Sequence, residues 1–85
     1  MPTKTVTVGS AVGLHARPAA IISEAAGELD AEVTLAKPGG DAVDASSALL
    51  IMTLGAGKGD EVEVSSEDHA ALDKIADLVE QDLDA

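Results

Sequence analysis

A histidine, an arginine and a proline stand close together in the segment GLHARPA at residues 13–19 of this chain. The segment lies between a stretch typical of a strand and a stretch with helical spacing, so we expect His15 at the start of a helix. The first backbone N–H groups of a helix have no acceptor within it, and the helix dipole is positive there, so this position favours an anion such as phosphate. A neutral imidazole at that position has a nitrogen lone pair that can attack an electrophile.

The residues that follow His15 supply donors for such an anion. Arg17 carries a planar guanidinium that can hold two phosphoryl oxygens at once, and the backbone amides of Ala16 and Arg17 are the first of the expected helix. Pro18 lacks only an N–H that would have no acceptor there anyway. Each residue alone has an ordinary interpretation, as a surface histidine, a surface cation or a helix-start proline, and it is their grouping that favours a phosphoryl site.

Alternating polar and apolar residues predict four strands. The strands cover residues 3–8, residues 31–37, a shorter run through Val43, and residues 61–65. The side chains expected to face the core are Val6, Val8, Val33, Leu35, Val62 and Val64. A proline and two glycines at residues 38–40 predict a turn, so the second and third strands form a hairpin.

Apolar residues at helical spacing predict three helices. The first covers residues 16–26 and is ended by Gly27, the second begins at Ser46 or Ser47 and is closed by Gly55, and the third begins at Ser66. The side chains expected in the buried stripes are Ala19, Ile22, Ala25 and Ala26 in the first helix and Leu72, Ile75, Val79 and Leu83 in the last.

The order of these elements is strand, helix, strand, strand, helix, strand, helix. With short connections, this order predicts an α+β open-faced sandwich, in which a four-stranded antiparallel sheet carries three helices on one face. The length of 85 residues leaves room for a single domain, residues 1–85, with one modest core. That core must be aliphatic, because the chain contains no aromatic residue.

The length and two motifs resemble the histidine-containing phosphocarrier family HPr of the phosphoenolpyruvate-dependent sugar phosphotransferase system. The motifs are GLHARPA at residues 13–19 and SSALLIMTLG at residues 46–55, and the resemblance extends over nearly the whole chain. It implies that His15 takes a phosphoryl group from enzyme I on its pros ring nitrogen, with Arg17 stabilising that group. It further implies that the group passes to IIA domains of sugar permeases in support of sugar uptake, and that the chain is a carrier without enzymatic turnover of its own.

The second motif adds a regulatory candidate and a docking surface. The hairpin carries one residue more than is usual in this family, so the serine that a dedicated kinase modifies in some members matches Ser47. The alternative is that Ser47 only caps the short helix. Because the helix that follows is apolar all round, we expect some of Leu49, Leu50 and Met52 to stay exposed and to form a docking patch; the alternative places them all in the core.

Composition limits the partners. The net charge of −11 and the absence of aromatic residues argue against nucleic acid. The chain has no cysteine, no zinc-like ligand spacing around its two histidines, and no signal-peptide or membrane-length apolar run. We therefore expect a cytoplasmic monomer without metal, cofactor or membrane insertion.

The charge also departs from the resembled family, whose members usually carry several lysines around the phosphorylation site. The first helix has Arg17 as its one cation, and Glu24 and Glu28 lie on or beside it. Three explanations stay open: a partner of altered charge, a salt-rich cytoplasm, and a solvated acidic surface that aids solubility.

Parts of the sequence also suggest functions other than a phosphocarrier. An acyl carrier protein is also small and acidic, but it shows Asp-Ser-Leu at a helix start in an all-helical fold, and residues 44–47 (DASS) lack that motif. A regulatory relative that signals through Ser47 stays open. Residues 55–59 (GAGKG) are not a Walker phosphate loop, because glycine follows Lys58, and we expect a mobile turn. His69 has no arginine or proline beside it and is expected on the surface.

Overall fold

Seven short elements build the protein, which we describe from a computed structural model covering residues 2–81 and 83. They are β1 (Thr3–Thr7), α1 (Ala16–Gly27), β2 (Val33–Ala36), β3 (Val43–Asp44), α2 (Ala48–Thr53), β4 (Glu61–Ser66) and α3 (His69–Glu80). All strand pairs are antiparallel and the sheet order is β1-β4-β2-β3. The predicted α+β open-faced sandwich, with its element order, is confirmed. No helix in the described part of the chain is long and apolar enough to span a membrane.

The strand register places the apolar residues on one face of the sheet. Val6 lies opposite Val62 and Val64 lies opposite Leu35, and all four side chains are buried. Helix α3 packs across β1, β4 and β2, while α1 packs against α3 and α2. The other face of the sheet carries polar residues such as Glu63 and stays open, since no helix covers it.

The predicted end of α1 was wrong by one residue. Gly27 belongs to the helix and does not adopt a positive φ. Glu28 is the C-cap with right-handed helical angles, and its N–H donates to the carbonyls of Glu24 and Ala25. The helix therefore ends without the left-handed glycine cap that the sequence suggested. Three residues of the buried stripe expected in α1 are buried, and Ala25 is only half-buried.

The predicted start of α3 was also wrong. Ser66 is the last residue of β4, where it is fully buried and pairs with Val33. Asp68 is the N-cap, and its carboxylate accepts the N–H groups of Ala70 and Ala71 at 2.9 and 3.2 Å. A carboxylate at the positive end of a helix is a strong cap, so α3 begins at His69, with two residues between it and the end of β4.

The buried stripe of α3 was predicted correctly over the helix itself. Leu72, Ile75 and Val79 are buried in the core. Leu83 lies beyond the end of α3, but it still packs partly buried against that core. The predicted hairpin of β2 and β3 is confirmed, and both strands are shorter than expected. In the turn between them, the N–H of Gly40 donates to the carbonyl of Lys37 at 2.8 Å.

Candidate functional site

His15 is the N-cap residue of α1. Its backbone is extended, with φ −82° and ψ −167°, and its side chain is exposed and makes no capping hydrogen bond. The carbonyl of His15 accepts the N–H of Ala19 at 2.9 Å, which is the first hydrogen bond of the helix. The structure thus places the imidazole at a helix start, as the sequence predicted.

Two backbone donors beside His15 are free. Ala16 and Arg17 occupy the first two positions of α1, and their N–H groups donate to no acceptor among residues 2–81 and 83. The third position is Pro18, which has no N–H to offer. Its buried ring packs this turn onto the protein. An anion at the helix start would therefore be bound by the amides of Ala16 and Arg17.

The guanidinium of Arg17 is available as well. The side chain is exposed and forms no ion pair within the part of the chain that the structure describes. The ion pairs found there join Lys4 to Asp73 and Lys37 to Asp60. A planar donor without an internal partner can bind two oxygens of a phosphoryl group.

The turn that presents His15 depends on glycine and leucine at the two preceding positions. Gly13 has φ +76°, and its N–H donates to the carbonyl of Ser10 at 2.9 Å. Leu14 is buried, and its N–H donates to the carbonyl of Ala56 at 2.9 Å. A methyl group on Gly13 would lie only 2.5 Å from that same carbonyl oxygen. The turn and the anchor are thus built by residues 13 and 14, which leaves the next side chain in solvent.

The other end of this His15 loop, residues 8–15, is fastened to the end of α3. Ser10 is fully buried; its hydroxyl donates to the carbonyl of Gln81 at 3.2 Å and accepts the N–H of Leu83 at 3.1 Å. The N–H of Gly9 donates to the carbonyl of Val79 at 3.1 Å. Sequence reasoning missed Ser10, because nothing local distinguishes an anchoring serine from an exposed loop serine.

The glycine-rich segment at residues 55–59 supports the His15 loop from the other side. Ala56 is buried, and the carboxylate of Asp60 accepts the N–H of Gly57 at 2.9 Å. The N–H of Gly59 donates to the carbonyl of Val8 at 3.0 Å. We had expected a mobile turn, and this supporting role was missed. A glycine run followed by an aspartate, a common turn pattern, was the one available clue.

Helix α2 exposes the predicted docking patch. Leu49, Leu50 and Met52 are 69%, 39% and 36% exposed, while Ile51 is fully buried. The expectation of partial exposure is confirmed, and the alternative that places all of them in the core is wrong. Val12 of the His15 loop adds a further exposed apolar side chain.

Two contacts bring the docking patch to the His15 loop. Helix α2 packs beside α1. The N–H of Gly55 bonds to the carbonyl of Met52, and the next residue, Ala56, accepts the hydrogen bond from Leu14. The end of α2 therefore leads directly to the turn that presents His15.

The two serines before α2 have different partners. Ser47 is the N-cap, and its Oγ accepts the N–H of Leu50 at 3.3 Å. Ser46 donates both its N–H and its hydroxyl to Asp44 Oδ1, at 2.9 and 2.7 Å. These two hydrogen bonds, the backbone one first, lower the pKa of the Asp44 carboxyl below its ordinary value. Of the two serines predicted as the cap of α2, Ser47 is therefore the N-cap.

His69 lies far from His15 in the fold. It begins α3 just after β4, whose end pairs with Thr3 at the start of β1. The His15 loop follows the opposite end of β1, so the two histidines lie toward opposite ends of that strand. Among residues 2–81 and 83, no group of three or more histidine or acidic side chains is placed to hold a metal ion.

Comparisons with known proteins show which family the chain belongs to. A family model described as the PTS HPr component phosphorylation site matches residues 2–81. The phosphocarrier protein HPr of Streptomyces coelicolor is 42% identical over 87 residues, covering 99% of this chain and 94% of the relative. The phosphocarrier protein HPr of Haloferax volcanii is 40% identical over 80 residues, covering 89% and 90%.

Solved structures show the same fold. The crystal structure of a phosphocarrier protein HPr from Bacillus anthracis superimposes with a TM-score of 0.84 at 33% identity, covering 92% of this chain and 95% of the other. That of an HPr from Thermoanaerobacter tengcongensis gives 0.83 at 32% identity, covering 94% and 92%.

Proposed function

Because this chain belongs to the HPr phosphocarrier family of the phosphotransferase system, we propose that it carries a phosphoryl group on the pros nitrogen, Nδ1, of His15. The observation that supports this assignment is the surroundings of His15. An exposed imidazole stands at the N-cap of a helix whose first two amides, Ala16 and Arg17, and whose Arg17 guanidinium have no acceptor or ion-pair partner among the described residues 2–81 and 83.

In phosphoryl transfer the protein places the His15 imidazole and the donors that bind the phosphoryl oxygens. The lone pair on Nδ1 attacks phosphorus, and a P–N bond forms as the bond between phosphorus and the donor breaks. The phosphoryl oxygens then bind the amides of Ala16 and Arg17 and the Arg17 guanidinium, at the positive end of the α1 dipole. In the second transfer a nucleophile of the acceptor attacks the same phosphorus, and the P–N bond breaks. His15 is regenerated, so the chain is a carrier without independent turnover.

The donor we propose is phosphorylated enzyme I, and the acceptors are IIA domains of sugar permeases, in the cytoplasm. Both must reach the same imidazole, so both must cover the same surface. The docking patch of Leu49, Leu50 and Met52 supports this, because it lies next to the His15 loop and exposes apolar side chains that a partner would bury. The carrier acts as a monomer, which leaves that surface open to each partner in turn.

Labelling tests the assignment. Incubated with phosphoenolpyruvate and purified enzyme I, the protein should gain one phosphate, labile in acid and stable in alkali as phosphoramidates are. His15→Ala should gain none, and His69→Ala, the matched control, should be labelled like the wild type. Acid-labile phosphate on His15→Ala would overturn the assignment.

We further propose Ser47 as the site of a serine kinase that regulates docking. Its hydroxyl caps α2 and accepts the N–H of Leu50, a residue of the docking patch. A phosphate would add about −1.5 to −2 charge there, which the helix start tolerates but an apolar interface does not.

A phosphate mimic tests this regulation. Ser47→Asp should keep the circular dichroism spectrum and melting temperature while slowing phosphoryl acceptance at His15. Ser46→Asp is the comparison, because it adds the same charge at the neighbouring position. If Ser47→Asp accepts phosphate as fast as the wild type, then capping is the whole role of Ser47.

A further inference from the structure

We propose that the protein partners of this carrier present basic side chains to Glu24 and Glu28, around an apolar socket for the docking patch. The proposal rests on the proposed function, in which partners cover His15. It concerns the docking face, which we define as His15, the outward side of α1 and the docking patch of α2. Its basis is the placement of charge on this face.

Glu24 and Glu28 lie in line with Arg17 on the outward side of α1. At about 100° per residue, positions seven and eleven residues apart return to within about 20° of the same direction. All three side chains are exposed. With a rise of about 1.5 Å per residue, Glu24 lies about 10 Å and Glu28 about 16 Å along the axis from Arg17. The two carboxylates thus begin about two helical turns beyond Arg17.

Neither carboxylate is neutralised within the protein. Arg17 is the one cation of α1, and within the described residues 2–81 and 83 no ion pair involves Glu24 or Glu28. Other exposed side chains of the docking face, such as Ala20 and the docking patch, are uncharged, and the exposed cation Lys58 lies in the neighbouring segment at residues 55–59. With Arg17 engaged by the phosphoryl group, Glu24 and Glu28 leave the outward side of α1 negative.

A partner that covers His15 also covers Glu24. A stable interface buries about 800 Å² on each side, which corresponds to a disc of about 16 Å radius. A disc of that size centred near His15 contains Glu24, about 13.5 Å along the helix axis, and its edge comes within about 4 Å of Glu28. A carboxylate that loses its water without gaining a partner opposes binding, and a facing acidic group opposes it further. Cations opposite Glu24 and Glu28 remove both penalties.

The charge of the whole chain acts in the same direction at long range. A net charge of −11 on 85 residues repels an acidic partner and attracts a basic one before contact. Attraction of this kind raises the association rate and weakens as salt screens it. The sign of the salt dependence therefore reports the charge of the partner surface.

The experiment compares two charge reversals that are equal in net charge. Glu24→Lys and Glu63→Lys each replace −1 by +1 and take the chain from −11 to −9. Glu63 lies on the open face of the sheet, opposite Thr5, away from the helices. Rapid-quench measurements give the second-order rate constant for transfer to His15 from phosphorylated enzyme I of the same genome, at 50 and 500 mM NaCl. Circular dichroism checks that both variants are folded.

We expect Glu24→Lys to lower the low-salt rate constant at least about tenfold, and Glu63→Lys less than about threefold, since only the first meets the partner. The wild-type rate constant should fall about tenfold between the two salt concentrations. A Glu24→Lys rate equal to or above that of Glu63→Lys, or a wild-type rate that rises with salt, overturns the partner proposal alone. Absence of any label on wild-type His15 overturns the proposed function, and this proposal with it.

Discussion

Replacing Gly13 with alanine adds one methyl group at the turn that presents His15. Gly13 has φ +76°, and a Cβ at this position lies 2.5 Å from the carbonyl oxygen of Ala56 and 2.7 Å from Cα of Gly57. Both neighbours are backbone atoms, so no side-chain rotation relieves the contact. The His15 loop and the segment at residues 55–59 must move apart.

The cost follows from two terms. An alanine in the left-handed region costs about 1 to 2 kcal/mol. Separation of the two loops weakens the hydrogen bond from Leu14 to Ala56, which is worth about 0.5 to 1.5 kcal/mol. We therefore expect Gly13→Ala to lower the free energy of unfolding by about 2 to 3 kcal/mol, which lowers Tm by about 10 to 20 °C in a domain of this size.

Gly39→Ala is the matched control. Gly39 has φ +77°, and a Cβ there would meet nothing within 4 Å. Gly39→Ala should therefore lower the free energy of unfolding only by the backbone term of about 1 to 2 kcal/mol. Urea unfolding of both variants gives the difference, and phosphoryl acceptance should be slowed in Gly13→Ala alone. Equal unfolding free energies, or wild-type acceptance by Gly13→Ala, would refute the view that the two loops hold His15 in place.

Three further outcomes are expected. Arg17→Lys keeps the charge but loses the bidentate hydrogen bonding to two phosphoryl oxygens, so the transfer rate should fall about ten- to a hundredfold. A rate within about twofold of the wild type would exclude the bidentate role of Arg17. Ser10→Ala leaves the carbonyl of Gln81 and the N–H of Leu83, whose hydrogen bonds are part-buried, without their partner. Urea unfolding should therefore show a free energy of unfolding that is lower by about 0.5 to 1.5 kcal/mol, and no loss would mean that water replaces the hydroxyl. The pKa of Asp44, followed by carboxyl NMR, should lie below its ordinary value of 3.8, and Ser46→Ala should raise it only part of the way, because the backbone hydrogen bond remains. Since that pKa is depressed in the folded state, its contribution to stability is present above pH 3.8 and disappears as pH falls through the folded-state pKa; an unshifted pKa would contradict the geometry.

Features set by local pattern were predictable from the sequence. The alternation in β4 predicted that Val62 and Val64 face inward, and both are fully buried. The grouping in residues 13–19 predicted a helix start, and α1 begins at Ala16. An apolar short helix predicted exposed leucines, because two turns on a small domain cannot bury every side.

Features set by contacts distant in sequence were not predictable. The anchoring of Ser10 needs the end of α3, some seventy residues later. The supporting role of Ala56 needs Leu14 beside it. The predicted start of α3 at Ser66 was wrong because Ser66 pairs with Val33 in the sheet, and a local sequence pattern does not reveal a strand partner.

The amides of Ala16 and Arg17 offer the most direct test of the phosphoryl site. NMR spectra with 1H and 15N detection, recorded before and after phosphorylation, should show the phosphorus bonded to Nδ1 of His15. The amide protons of Ala16 and Arg17 should move downfield and exchange more slowly with solvent, because they become donors to phosphoryl oxygens. Phosphorylation that leaves both amide protons unshifted, or that places phosphorus on Nε2, would contradict the account.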